Sequence, residues 1–273
     1  MRVSLVIPLY NQVHYTKQCL ESICAASEMH DIELILVDNA SSDGTAAYLD
    51  TVDCQMIRIN NNENKGFAGA CNQGILRSTA PWIIVMNNDV IVAKGWIDGL
   101  MSAAREYRLD CVTPGIREGA LQYDFTDYSQ DFVRSMRQVL RRGVVNGICF
   151  AAKREVFDAV GLFDENFLYG QYEDADLFKR MTQAGFSLGT TGRSFIHHFG
   201  SITQKGMGVQ NKVSPHVIHN KRYFIKKWKQ SRIERLIIRN TMKLRVLVQS
   251  TLERYRYGHS LFEKLIDTTV KYY

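Results

Sequence analysis

No stretch of this 273-residue chain holds about 18 consecutive apolar residues, which excludes an ordinary membrane-spanning helix. The six cysteines, Cys19, Cys24, Cys54, Cys71, Cys111 and Cys149, form no Cys-x-x-Cys pair. Most sit within apolar runs, so they read as reduced, buried thiols and give a zinc site little support. Internal repeats and low-complexity tracts are missing, which removes solenoids and disordered linkers. The apolar run at the N-terminus is too short for a signal peptide, because Asn11 and Gln12 interrupt it at once. A first strand in a cytoplasmic protein is the expectation.

Charge is present but uneven. Residues 221–273 hold 14 Lys and Arg against 4 Asp and Glu, while the whole chain carries a formal net charge of +6. The body is therefore slightly acidic and the tail basic. That is not the pattern of a general nucleic-acid binder, and no specific nucleic-acid partner is expected. In the tail, Ile233, Leu236, Ile237, Leu244, Leu247 and Leu252 recur at helical spacing among the cations. This suits a helix lying at the inner face of a membrane, a packing helix with a solvated basic face, or a helix–helix contact in a homodimer.

The first hundred or so residues alternate strand and helix patterns. Strands are expected at 3–7, 32–37, 55–59 and 82–86, with helices at 15–26, after the turn-rich 39–45, and after the polar loop 60–66. Such alternation argues for an α/β fold with a mainly parallel sheet covered by helices. The rhythm breaks at 116–143, a polar stretch with Tyr123, Phe125, Tyr128 and Phe132 that fits no single pattern. It resumes with a strand at 147–152, helices at 153–160 and 173–184, and a short strand at 195–198. From Ser214 the pattern is helical and basic to the end.

The 82–86 run (WIIVM) stops abruptly at Asn87-Asn88-Asp89. It reads as a strand buried on both faces whose carboxyl end carries a polar cluster. Ligands of open α/β sheets bind at that rim, and a carboxylate there can hold a divalent cation against nucleotide phosphates. Asp38 stands at the end of another strand, where it either caps a turn or accepts a hydrogen bond from a base or ribose. Glu173-Asp174-Ala175-Asp176 opens a helix, a place that favours acids through the helix dipole alone. The preceding Tyr169-Gly170-Gln171-Tyr172 is suited to framing a pocket, at whose edge a carboxylate can take a proton from an acceptor hydroxyl. His197-His198 precedes Phe199-Gly200-Ser201, a loop in which a ring nitrogen can face a metal.

Taken in order, these segments resemble the family 2 glycosyltransferases, which share the GT-A (Rossmann-like) fold. The resemblance runs from Val3 to Ser201, about three quarters of the chain. It rests on residues 4–11 (SLVIPLYN), 33–45 (ELILVDNASSDGT), 64–72 (NKGFAGACN), 86–90 (MNNDV), 161–165 (GLFDE), 172–177 (YEDADL) and 196–201 (IHHFGS). The chain looks most similar to the bacterial branch that builds surface polysaccharides, including rhamnosyltransferase-like members. The resemblance implies that residues 1–213 form the glycosyltransferase domain. Its nucleotide-binding half would be 1–115 and its acceptor half 116–213, with a basic helical appendage at 214–273. It implies that Pro8, Tyr10, Asn11 and Asp38 hold the nucleoside, and that Gly66 and Asn72 lie near the donor. Asn87, Asn88 and Asp89 occupy the place of the family's Asp-x-Asp motif. Asp89 and His197, with His198 as the alternative, would then bind Mg²⁺ or Mn²⁺. Asp174 matches the catalytic base. The implied reaction is inverting transfer from a UDP- or dTDP-sugar to a glycan or lipid-linked glycan. A polyprenyl-phosphate glycosyltransferase and a non-catalytic nucleotide-sugar-binding subunit are the rival expectations. One departure stands out: Asn87 replaces the motif's first acid and is the weaker cation ligand.

Overall fold

The alternating apolar residues of the first strand decide the architecture. In a computed structural model of the protein, Leu5, Ile7 and Leu9 enter one core and Val6 enters another, so β1 (Val3–Leu9) is buried on both faces. The structure describes residues 2–26, 31–200, 214–266 and 269–271. After β1 come α1 (Val13–Ala26), β2 (Ile32–Asp38), α2 (Thr45–Leu49), β3 (Met56–Asn60) and α3 (Gly66–Arg77). Then follow β4 (Trp82–Met86), β5 (Val90–Val92), α4 (Trp96–Tyr107) and β6 (Cys111–Glu118). The second half holds α5 (Phe125–Met136), β7 (Leu140–Arg142), β8 (Cys149–Lys153), α6 (Arg154–Val160), α7 (Glu173–Gln183) and β9 (Leu188–His198). Helices α8 (Pro215–Lys227) and α9 (Arg232–Tyr257) and strands β10 (Phe262–Ile266) and β11 (Thr269–Lys271) complete the described residues.

The strands form one sheet in the order β11-β10-β6-β8-β4-β1-β2-β3, with β9 alongside β6 and pairing also with β5 and β7. Strands β4, β1, β2 and β3 run parallel, and β8 enters antiparallel between β4 and β6. One core lies against α1 and α4, and the other against α3, α6 and α7. Helix α3 sits so close to β1 that a Cβ on Gly74 would fall 2.2 Å from Val6 Cγ1. The missing side chain of Gly74 permits that approach.

Two expectations need correction. The unplaced 116–143 stretch contains the end of β6, the amphipathic α5 and the short β7. Phe132 and Met136 of α5 are buried with Phe195 in a third core. The chain is not helical to its end: β10 returns to the main sheet and pairs in parallel with residues 116–118 of β6. Its pairing is non-local, so the local pattern gave no sign of it. The expected domain boundary at 213 lies outside the described residues, as does Ser201. All six cysteines are free, but Cys24 is exposed and Cys54 only partly buried. Among the described residues no helix is long and apolar enough to cross a membrane.

A buried ion pair fastens this C-terminal return. The Arg141 guanidinium of β7 donates twice to the Glu253 carboxylate of α9, at 2.6 Å each, and also to Ser250. Glu253 additionally accepts from the backbone N–H of Leu261. Removing one partner strands a buried charge. Glu253→Ala should therefore lower unfolding free energy by about 3–5 kcal/mol in urea denaturation. A loss below about 1 kcal/mol would show the pair to be no stronger than a surface contact.

Candidate active site

Strand ends from both halves of the sheet meet around a cleft of about 370 Å³. Pro8 and Tyr10 come from the end of β1, and Asn87, Asn88 and Asp89 from the β4–β5 link. Glu118 ends β6, His198 ends β9, and Glu173 and Asp174 form the first turn of α7.

Strand pairing brings Asp89 and His198 together. The antiparallel β5–β9 ladder sets Val90 opposite His198, and the Phe199 N–H donates to the Asp89 carbonyl at 3.0 Å. His198 Nε2 lies 3.2 Å from Asp89 Oδ1, and its Nδ1 lies 3.6 Å from Glu118 Oε2. Burial disfavours the imidazolium, but the two carboxylates outweigh it and raise His198 to about 9. His197 points elsewhere. It is fully buried, and its Nδ1 lies 2.9 Å from the Tyr123 hydroxyl. Burial and the adjacent His198 push it down to about 4. Successive strand residues face opposite sides, so only one of the two histidines can enter the cleft. The alternative His198 enters, not His197, the first choice on resemblance.

At the opposite wall two carboxylates are adjacent. Glu173 is buried and its Oε2 has no hydrogen-bond partner; burial first, and then the Asp174 charge, push its pKa up. Burial also raises Asp174, partly offset by backbone donors such as the Ala175 N–H at 2.7 Å. The backbone entering β8 passes so near that a Cβ on Gly147 would lie 2.3 Å from Asp174 Oδ2. Glycine is required there.

The segment before α7 is strained. Tyr169, Gln171 and Tyr172 have φ of 57°, 75° and 78°, a region costing side-chain-bearing residues of order 1–3 kcal/mol each. Asn220 of α8 holds it in place. This fully buried amide donates to the carbonyls of Leu168 and Gly170 at 2.9 Å and accepts from the Leu168 N–H at 2.8 Å. In the sequence Asn220 is one amide in a basic helix and carries no signal of this role.

The remaining candidates do not line the cleft. Asp38 Oδ1 accepts from the Ser41 N–H at 3.0 Å, the turn-capping arrangement. Asn11 Oδ1 accepts from the Ser42 N–H at 2.7 Å, tying the β1 and β2 loops together. Asn72 bonds both the N–H and the carbonyl of Phe163 at 2.9 Å, a packing role. Gly66, at φ 73°, starts α3 where a Cβ would lie 3.2 Å from the Tyr169 nitrogen. Within the cleft, Asn88 donates to Thr16 Oγ1 at 2.9 Å, while Asn87 Oδ1 is buried without a partner. Lining residues not singled out from sequence include Asn39, Asn64, Phe67 and Glu118. Asn39 and Asn64 sat in recognisable motifs, but Glu118 lay in the stretch with no readable pattern. Among the described residues no group of three His, Cys, Asp or Glu is arranged to hold a metal ion.

The coupled carboxylates give a direct check. Asp174→Asn removes the like charge but not the burial. Glu173 should then ionise at lower pH than in the native protein while staying above the ordinary carboxylate range, as read by ¹³C-carboxylate NMR. An unchanged Glu173 midpoint would mean the two do not share the cleft wall.

Comparisons with known proteins bear on this geometry. The sequence model described as Glycosyl transferase family 2 matches residues 4–161. Glycosyltransferase AglE of Haloferax volcanii is 25% identical over 198 residues, covering 68% of this chain and 63% of that protein. A structure of GalNAc-T7 with UDP, GalNAc and Mn²⁺ superposes with a TM-score of 0.59 at 17% identity, over 72% of this chain and 44% of that one. Mannosyltransferase PcManGT of Pyrobaculum calidifontis, in complex with GDP-Man and Mn²⁺, gives 0.57 at 16% identity, over 82% and 69%. The likeness to these structures is one of fold, a GT-A-like mixed α/β architecture. The chain spans 25%, 63% and 37% of the lengths of three curated relatives it matches.

Proposed function

This chain belongs to glycosyl transferase family 2, and on that premise we propose that it transfers a sugar from a nucleoside-diphosphate sugar to an acceptor hydroxyl with inversion. One observation carries the reading: Asp89, His198 and Asp174, far apart in sequence, line a single cleft at the sheet's carboxyl rim. The UDP- or dTDP-sugar donor, the glycan or glycolipid acceptor and the role in surface-polysaccharide synthesis rest on sequence resemblance. The retention of both a base and a cation-binding pair favours catalysis over a purely binding subunit.

Asp174 acts as the base. It takes the acceptor hydroxyl proton as that oxygen bonds to the anomeric carbon, and the nucleoside diphosphate leaves from the opposite face. Its raised pKa makes it a stronger base than a solvated carboxylate. Glu173 beside it is raised as well, by burial and by the Asp174 charge. Phe67 and the Tyr169–Gln171 segment wall the donor, and the unpartnered Asn87 Oδ1 is available to a substrate donor group. Asp89 and His198 fit a divalent cation, because a buried carboxylate oxygen and an imidazole nitrogen already converge. Glu118 would orient the imidazole from its other nitrogen. Bound there, Mg²⁺ or Mn²⁺ would neutralise charge developing on the diphosphate. With so few protein ligands, diphosphate oxygens would complete its coordination.

Asp174→Asn should keep nucleotide-sugar binding in calorimetry while lowering turnover by about 10²–10⁴; full turnover would remove Asp174 from the role. Since the base must be ionised and its pKa is raised, activity should fall as pH drops through a value above the ordinary carboxylate range. Asp89→Ala should abolish the Mn²⁺-dependent part of donor binding.

Helix α9 supports peripheral membrane contact. Ile233, Ile237, Leu244 and Leu252 are all more than half exposed, and seven Lys and Arg share the helix. An anionic bilayer surface would cover the apolar side chains and meet the cations together. Deleting residues 221–273 would also remove β10 and Glu253, so point changes are the sounder probe. Leu244→Asp with Leu252→Asp should abolish co-sedimentation with vesicles containing anionic phospholipid. Equal sedimentation would rule out this surface, and a shift from dimer to monomer would assign it to self-association.

A further inference from the structure

A second groove, of about 620 Å³, shares Gln171 and Asp174 with the donor cleft and runs between the start of α7 and α8. Tyr172, Val217, Ile218 and Ile225 supply apolar wall, and Lys221 and Arg222 supply two adjacent cations. Both cations are exposed, and among the described residues neither meets a carboxylate at ion-pair distance. The same helix shows the opposite arrangement where a cation serves structure. Lys227 lies 2.6 Å from Asp164 Oδ2 and 2.8 Å from Asp176 Oδ1. Among the described residues, the single acidic side chain lining the groove is Asp174.

Two neighbouring cations in a concave surface repel each other and attract a compact dianion. An arginine fork and a lysine ammonium together suit phosphoryl oxygens. We infer that this groove takes the acceptor, and that Lys221 and Arg222 hold a phosphoryl or diphosphoryl group carried on it. The inference rests on Asp174 being the base of the proposed reaction. The phosphoryl group is an anchor: no bond to phosphorus forms or breaks. The acceptor hydroxyl gives its proton to Asp174, its oxygen bonds to the anomeric carbon, and the bond from that carbon to the donor diphosphate breaks. Ile218 and Ile225 beside the cations give a hydrocarbon attached to the phosphate a surface to follow. A lipid diphosphate and a soluble phosphorylated glycan share the anchoring chemistry.

Calorimetry in EDTA tests this with inorganic pyrophosphate and farnesyl diphosphate as probes. The proteins are the native chain, Lys221→Ala with Arg222→Ala, and Asp89→Ala. Charge-assisted contacts of this kind predict at least about tenfold weaker binding of both probes by the double variant, with Asp89→Ala binding as the native chain does. Equal binding by the double variant and the native chain would overturn the inference. So would binding of the probes that appears only when Mn²⁺ replaces EDTA and is lost in Asp89→Ala, which would place the anion in the donor cleft. Farnesyl diphosphate binding about tenfold more tightly than pyrophosphate would assign a lipid-borne anchor, and equal affinities a soluble one. Both side chains are exposed, so an unchanged melting temperature is expected for the double variant. Its thermal shift with Mn²⁺ and nucleotide sugars should match that of the native chain. A native chain stabilised by no nucleotide sugar would count against sugar transfer while leaving the anion measurement standing.

Discussion

The three-residue ladder between β5 and β9 is the constraint from which the site follows. It sets Val90 opposite His198, and so brings the end of the Asn87–Asp89 turn against the end of the longest strand in the second half. Asp89 and His198 are separated by more than a hundred residues and carry opposite charges in a buried place. Neither would be stable there alone, since an isolated buried charge is strongly disfavoured. Together with Glu118 they hold each other's ionisation, which is why the imidazole is raised rather than lowered by its surroundings. The same ladder turns His197 into the aromatic core beside Tyr123 and Phe199.

The C-terminal region does more than hang on this scaffold. Arg141 and Glu253 anchor α9 to β7, and Tyr128 donates to Glu263 at 2.6 Å, anchoring β10 to α5. Arg117, which stacks over Tyr123 and Tyr128, belongs to the same cluster. These contacts lead back to His197 and hence to β9. On the other side of the site, α8 uses Asn220 to hold a loop whose backbone would relax if released. The tail therefore shapes the α7 side of the cleft.

The first half of the fold was legible because β1, β2 and β4 are buried on both faces and its loops are rich in turn-forming residues. The 82–86 strand was read to its last residue, since Trp82–Met86 is uniformly apolar and Asn87 ends it. The 116–143 stretch was not legible. Tyr123, Tyr128 and Phe132 pack in a local cluster whose partners, Phe195, His259 and Leu261, lie far along the chain. Strand β10 was hidden for the same reason. At the site, residue types were readable and orientation was not. Neighbouring histidines look equivalent in sequence, yet a strand presents them to opposite faces, and only the register with β5 says which one meets Asp89. Asp38, Asn11 and Asn72 stand in motifs at the right rim, but their side chains are occupied by Ser41, Ser42 and Phe163. A motif names a neighbourhood; the hydrogen-bond partners show how each of its members is held there.

On the proposed reading, charge explains how one chain can keep two anionic substrates apart. Among the described residues, the proposed donor cleft is lined by Asp89, Glu118, Glu173 and Asp174 against one histidine. From these described side chains, a diphosphate entering the cleft meets net repulsion unless a cation comes with it. Two features soften that repulsion without abolishing the need for the cation. Asn87 removes one negative charge that the Asp-x-Asp pattern would have placed there. Burial raises Glu173, which reduces its negative charge near neutrality. The second groove has the opposite balance, with Lys221 and Arg222 facing, among the described residues, only Asp174. On the proposed reading, an anionic acceptor is drawn to the basic side without a cation and a donor to the acidic side only with one. Asp174 belongs to both linings, so the shared carboxylate stands where the two substrates must meet.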